Sequence, residues 1–447
     1  MNQQNSAESV DIMENRKWYQ AIGPGIITAC VVIGPGSILT SNKIGSTQEY
    51  SMIWVVVVAC IFMMFFMSMG ARIGVLAKSS PGNLLREHLG GSGKALAILV
   101  GLCVFFISTA FQFGNNLGVQ SAFNVYMDKS ITMYLVIAFN ALSICFLFAF
   151  KDFYKALEKV MMVFVGLMLL CFAVNLIFAK PAIGQLAKGF LPLEAEIDFN
   201  TLGLIGTTFV VAAAYFQAYL ARQKGWSVSE LKNGLVDARV GSVIMATLTI
   251  MLMATAGTVL VGQNLSNVEE VAAGLEPAFG ETGKMLFCIG LFSAAYSSFL
   301  VNSMIAGFIL SDGLNLGSAT TDKAPRILTT VVLLTGMIVA LFVVWQDVDP
   351  VPAVVFAQAI TVIGNPLLAG TLLWITNNRK IMGDHTNGPI TNTVGVLGLL
   401  ILFAMAYQTA FIKIPEKLKS LEKPVAVQSM NPMGVGRHQT TDPQPKD

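Results

Sequence analysis

Charge is what this sequence has least of. Of its 447 residues only 12% are Asp, Glu, Lys or Arg, while 54% are hydrophobic and the mean hydropathy is +0.67. A water-soluble globule with a charged skin is thereby excluded. The net charge of +2 is small and the basic residues are scattered between apolar runs, which leaves no patch for nucleic acid. Histidine is nearly absent: His88, His385 and His438 all lie in polar segments, so no imidazole stands inside an apolar run to bind metal or relay a proton. The six cysteines, Cys30, Cys60, Cys103, Cys145, Cys171 and Cys288, fall within apolar runs, where cysteine acts as a small hydrophobe, and neither a disulfide framework nor a zinc site is implied. No cofactor motif or catalytic constellation points to an enzyme. The polar segment Met1 to Lys17 lacks the features of a cleavable signal, so the first span is expected to be retained.

What is present in quantity is the apolar run of about 20 residues, the length that crosses a bilayer as a helix. Eleven such runs are expected as spans, at 20–42, 51–77, 95–126, 131–150, 157–179, 201–221, 240–262, 284–310, 326–346, 350–376 and 392–412. The chain therefore reads as an all-α, multi-pass membrane protein with a segment 1–19, a transmembrane domain 20–413 and a polar tail 414–447. With the N-terminus in the cytoplasm, the inner connections carry seventeen Lys or Arg and the outer ones only Lys43, Lys129, Lys180, Lys188 and Lys284, which satisfies the positive-inside rule. An odd number of spans places the tail outside, although the chain from Lys413 onward carries six basic residues; its Pro, Gln, Asn and Lys content reads as disordered. Two outer connections are acidic, with Glu194, Glu196 and Asp198 in one and Glu269, Glu270, Glu276 and Glu281 in the next, and are expected as solvated loops.

The first run is interrupted by Gly34-Pro35-Gly36-Ser37. Pro35 removes a backbone donor and the flanking glycines lower the cost of leaving helical geometry. Two outcomes are open: a proline kink packed in the core, or a pair of half-helices whose broken ends line a solute site at the midplane.

Continuing from this stretch, the chain resembles the NRAMP family of divalent metal transporters. The family's Asp-Pro-Gly-Asn and the Thr, Gly, Tyr and Trp that follow align without a gap on Gly34, Pro35, Gly36, Ser37, Thr40, Gly45, Tyr50 and Trp54, with Glu49 where a glycine is usual. The second span closes on Ala71-Arg72 and Gly74; the eighth holds Ser297-Ser298, Ala306-Gly307 and Asp312-Gly313-Leu314. The tenth holds Ala357-Gln358 and Asn365-Pro366-Leu367, followed by Asn378-Arg379-Lys380-Ile381-Met382-Gly383. The resemblance implies a LeuT-type fold, eleven transmembrane helices with spans one to five and six to ten as a 5+5 inverted repeat and with broken helices 1 and 6 around the site.

In that site the chain departs from the family. Gly34 and Ser37 replace the aspartate and asparagine of the first span; the Met-Pro-His of the sixth falls on Val210, Val211 and Ala212, and its second histidine on Gln217. The acidic pair of the third span, part of the family's proton path, falls on Gln112 and Asn115; of the ion-contacting residues only Gln358 survives. Amides keep hydrogen-bonding shape but neither charge nor a titratable proton, so coupling to protons through Gln112, Asn115 and Gln217 is not expected. Loss of the sixth-span proline weakens the case for a break there, although Gly206, Thr207 and Thr208 remain.

The expected function is a secondary transporter of a divalent cation without transition-metal selectivity, the ion keeping much of its water. The expected substrate-binding residues are Gly34, Pro35, Gly36, Ser37, Thr207, Val210 and Gln358, with Ser37 and Gln358 as metal contacts. The alternatives are a permease for a small neutral or zwitterionic solute such as an amino acid, bound on the amides at Gly34 to Ser37, and a membrane scaffold that transports nothing. Besides the solute, the lipid bilayer is the one partner implied.

Overall fold

A computed structural model describes residues 23–150, 153–192, 199–346 and 351–413, the side chains of 199, 351–363 and 413 excepted. The segment 1–19, the tail 414–447 and the acidic residues Glu194, Glu196 and Asp198 lie outside the described residues. Among those described there is no strand, as expected of apolar runs whose backbone must satisfy itself within each segment.

The first span is a pair of helices, α1 (Pro24–Val32) and α2 (Pro35–Gln48). Spans two to five are α3 (Ile53–Leu76), α4 (Pro81–Asn124), α5 (Lys129–Ala149) and α6 (Phe153–Ala179), followed by the short α7 (Ile183–Lys188). The sixth span is again a pair, α8 (Phe199–Thr208) and α9 (Val211–Lys224). After it come α10 (Leu231–Val259), α11 (Val268–Gly313), α12 (Lys323–Trp345), α13 (Val351–Asn377), the short α14 (Arg379–Met382) and α15 (Pro389–Gln408). Nine described helices or spans are long and apolar enough to cross a membrane, and the bent pair α1 and α2 makes a tenth. Ten of the eleven expected spans thus meet that test; the other coincides with α13, 27 residues long.

Two helices outrun the expected spans. α4 starts at Pro81 and turns at Gly90, and α11 starts at Val268 and turns at Gly280, where φ is 57° and 66°, left-handed values that glycine adopts at little cost. The second acidic connection is therefore largely helical rather than a loop. Asn267 Oδ1 accepts from Glu270 N at 2.8 Å, which satisfies a first-turn donor of α11, and Glu270 Oε2 accepts from Ser266 N, just before the cap, at 2.6 Å.

The helices meet through small residues. A Cβ at Gly45 of α2 would collide with the Met253 carbonyl of α10, and one at Gly70 or Gly74 of α3 with the Ala214 or Ala218 carbonyl of α9. Such backbone contacts are how helices associate in a membrane, where apolar burial supplies little drive between them. They press α2 and α9, the second halves of the two interrupted spans, against their neighbours and so fix where the two interruptions lie.

Candidate functional site

The first span breaks where Pro35 cannot donate. Gly34 adopts extended backbone (φ −113°, ψ −178°), and α2 departs at 60° to α1. In an unbroken helix the Val31 carbonyl would accept from residue 35, which has no N–H; here it accepts from Ser298 Oγ of α11 at 3.2 Å. The Val32 carbonyl accepts from Gly34 N at 3.1 Å and also from the Ser37 hydroxyl. The opening is thus a junction of two half-helices bent by 60°, its carbonyls answered by side chains.

The sixth span breaks as well, without the family's proline. α8 ends at Thr208 and α9 begins after Val210 (φ −88°, ψ 88°). Phe209 stands between them, its ring 5.8 Å from that of Phe62 and 5.3 Å from that of Phe66 on α3. Burying this ring, together with the β-branched run Thr207, Thr208 and Val210, which has poor helix propensity, takes the place of the missing proline. The two breaks face each other: Ser37 Oγ lies 3.5 Å from the Thr207 carbonyl. Ser37, Thr207 and Gly34 are buried and Val210 is half-buried.

Around Gly34 the site is polar and uncharged. A Cβ built on Gly34 would stand 3.0 Å from Ser298 Oγ and 3.4 Å from Asn115 Oδ1, so the position of the family's aspartate looks directly at the third and eighth spans. Asn115 Nδ2 donates to Gln112 Oε1 at 3.4 Å, and Gln112 Nε2 has no partner among the described residues. Pro35 packs where Gly118 lacks a side chain, which brings α4 hard against the break. The side chain of Gln358 lies outside the described residues.

Gln217 does not join this group. Its Nε2 donates to Asp237 Oδ2 at 3.1 Å and its Oε1 accepts from Thr28 Oγ1 at 2.5 Å. Asp237 itself is fully buried and accepts from Gly23 N at 2.7 Å and Gly25 N at 2.6 Å. A second buried carboxylate, Asp312, accepts from Ser80 Oγ at 2.6 Å, Gly82 N at 2.8 Å and Tyr219 Oη at 2.7 Å, and pairs with Arg86 Nη2 at 3.2 Å. The sequence leads one to expect no carboxylate in the core; the buried Asp237 and Asp312 correct this. Both residues stand at span ends, Asp237 between Lys232 and Arg239 and Asp312 just past the expected end of the eighth span, places that read as solvated connections, and only the tertiary contacts bury them.

Chemically, the site presents carbonyls at the C-terminal ends of α1 and α8, first-turn amides of α2, hydroxyls of Ser37 and Ser298, and two amide side chains. The helix ends give the carbonyl cluster partial negative charge. Among the described residues no three His, Cys, Asp or Glu are grouped to hold a metal, so an ion here would meet neutral oxygens only.

Comparison with known proteins follows the same lines. A family model described as natural resistance-associated macrophage protein-like matches residues 25–411. The divalent metal cation transporter MntH of Lacticaseibacillus casei is 24% identical over 441 residues, covering 91% of this chain and 94% of that protein. A mutant of the manganese transporter of Eremococcus coleocola has a TM-score of 0.76 at 17% identity, covering 92% of this chain and 90% of the other. MhsT in complex with L-phenylalanine has a TM-score of 0.59 at 15% identity, covering 86% and 98%. The likeness to these structures is one of fold, the LeuT type with broken spans one and six.

Proposed function

Because the chain belongs to the natural resistance-associated macrophage protein-like family, whose model covers residues 25–411, we propose that it moves a divalent metal cation across the bilayer by alternating access. The observation that carries this reading is the Ser37 hydroxyl, set between the Val32 and Thr207 carbonyls. The carbonyl ends of two half-helices converge there, as a cation site requires. The substrate site comprises Gly34, Pro35, Gly36, Ser37, Thr207, Val210 and Gln358, with Ser37 and Gln358 offering side-chain oxygens. Curated relatives named as divalent metal cation transporters support the substrate class.

The chemistry of the site narrows it further. Gly34, Val210, Val211 and Ala212 supply no carboxylate, thioether or imidazole. Neutral oxygens cannot replace the full hydration shell of a divalent ion in a low-dielectric site, so the ion keeps part of its water, which suits a hard ion such as Mg²⁺ and removes any preference for transition metals. Transport runs down the ion's own gradient, since Gln112, Asn115 and Gln217 do not titrate. The distribution of Lys and Arg supports an orientation with the N-terminus in the cytoplasm, and eleven spans would then put the C-terminus outside.

A second reading rests on the first-turn amides of α2 at Gly36 and Ser37, which have no intrahelical acceptor and suit the carboxylate of an amino acid. Thermal stability of the purified protein separates the two, because a ligand raises stability by RT ln(1 + [L]/Kd). A midpoint that rises with Mg²⁺ or Mn²⁺ and not with amino acids supports the cation; the reverse pattern overturns it.

A further inference from the structure

The carboxylate of Asp237 touches neither the break nor Gly34, yet it is bonded to three partners on two other elements. All nine residues of α1 are buried, and its N-terminus is held by one residue of α10: Gly23 N donates to Asp237 Oδ1 at 2.7 Å and Gly25 N to Oδ2 at 2.6 Å. A carboxylate on the free amides of a helix N-terminus gains both charge-assisted hydrogen bonds and the helix dipole. Oδ2 also accepts from Gln217 of α9 at 3.1 Å, and Gln217 in turn accepts from Thr28 of α1 at 2.5 Å. One carboxylate thereby closes a ring through α10, α1 and α9. Backbone packing leaves no slack around it: a Cβ at Gly25 would run into the Asp237 carbonyl, and one at Gly241 into the backbone of Gly25. Beside Gly23 stands Glu158 of α6, paired with Lys224 of α9 at 2.7 Å.

We propose that Asp237 is the positioning residue of the gate on the side of the N-terminus: it holds α1 shut against α9 and α10, and breaking its bonds to Gly23, Gly25 and Gln217 is the step that frees α1 to swing and open the site on that side. This rests on the alternating-access reading. α1 is the element whose far end carries the Val31 and Val32 carbonyls, so a latch at its N-terminus controls both the seal and the placement of those ligands. The other buried carboxylate has a different task. Asp312 is charge-balanced by Arg86 and ties the first turn of α4 to α9, contacts that do not include α1.

The chain carries its own reporter. Cys30 of α1 is fully buried, its Sγ 3.8 Å from the Met161 carbonyl of α6, and it becomes reachable only if α1 departs. Cys60, Cys171 and Cys288 are also buried but lie on α3, α6 and α11. The test is maleimide labelling of the full chain in detergent, read cysteine by cysteine by mass spectrometry, for the wild type and Asp237→Asn. Loss of one charge-assisted hydrogen bond shifts an opening equilibrium by about tenfold. The expected result is a rise of that order in the labelling rate of Cys30, with Cys60, Cys171 and Cys288 still protected. Equal rises at all four would mean that Asp237 merely stabilises the fold, and no rise at Cys30 would mean that it holds nothing shut; either overturns the proposal. If Asp237→Asn does not fold, Gln217→Ala, which leaves the bonds to Gly23 and Gly25 in place, is expected to give a smaller rise confined to Cys30, and its absence counts equally against the latch. Labelling needs no substrate, so failure of the divalent-cation reading leaves this outcome unchanged.

Discussion

Gly34 and Ser298 face each other across the break in the first span: a Cβ on Gly34 would stand 3.0 Å from Ser298 Oγ, the same hydroxyl that donates to the Val31 carbonyl at 3.2 Å. A side chain at 34 would therefore project among hydroxyl and amide groups, not into packed hydrocarbon. This geometry bears directly on what a carboxylate placed there would do.

The pair Gly34→Asp and Ser37→Asn, which restores the family's residues, is expected to bind Mn²⁺ more tightly than the parent's neutral site does. Ser298 and Asn115 can orient the new carboxylate after shifts of a few tenths of an ångström, so the buried charge is partnered. Thermal unfolding with and without Mn²⁺ checks it. A larger rise of the midpoint with Mn²⁺ in the double variant than in the parent is the expected result; a low midpoint indifferent to metal would show that position 34 does not open on a site.

Ser298→Ala leaves the Val31 carbonyl without its acceptor role filled and is expected to cost about 1–3 kcal/mol. In a Pro35→Ala background residue 35 regains an N–H that can reach the same carbonyl, so the cost of losing Ser298 is expected to shrink. A double-mutant cycle on unfolding free energies measures this coupling. Strict additivity would mean that the hydroxyl does not compensate for the proline.

Asp312→Ala is expected to destabilise by about 3–5 kcal/mol, since it leaves the half-buried Arg86 guanidinium unpaired and removes the acceptor for Ser80, Gly82 and Tyr219. Tyr219→Phe removes one hydrogen bond to a charged group and is expected to cost about 1.5–3 kcal/mol. Denaturation of the two variants under one set of conditions gives the ranking.

These residues also show how far the sequence could be read. The apolar runs and the Gly34-Pro35-Gly36-Ser37 interruption are local signals: a proline without an N–H has the same consequence in any surroundings, and the break appears where it is expected. The sixth-span break is not local. It depends on the Phe209 ring finding Phe62 and Phe66 about 145 residues earlier in the chain, and a single phenylalanine in an apolar run carries no mark of that. The burial of Asp237 and Asp312 is hidden for the opposite reason, because acidic residues at span ends ordinarily meet water; Asp312 is visible only as part of the Asp312-Gly313-Leu314 motif, and its partners are not. Gln217 aligned with a proton-path position, yet its partners are Thr28 and Asp237, contacts that spacing within one helix does not reveal.

Coupling follows from the amides. With Gln112 hydrogen-bonded to Asn115 at 3.4 Å and neither able to titrate, uptake into proteoliposomes is expected to proceed without acidification of the lumen. A pH indicator inside the vesicles reads this, and acidification that tracks substrate entry would restore proton coupling by some other group.

Protein-dependent uptake of Mg²⁺, Mn²⁺ and Cd²⁺ into proteoliposomes is the most direct measurement of whether the junction of the two broken spans carries a divalent cation on neutral oxygens. Entry of Mg²⁺ and Mn²⁺ at rates within about tenfold of each other, with no advantage for Cd²⁺, is expected of a site that lacks sulfur and carboxylate. Strong preference for Cd²⁺ or Mn²⁺ would contradict the neutral site, and uptake of amino acids with none of any divalent cation would contradict the cation itself.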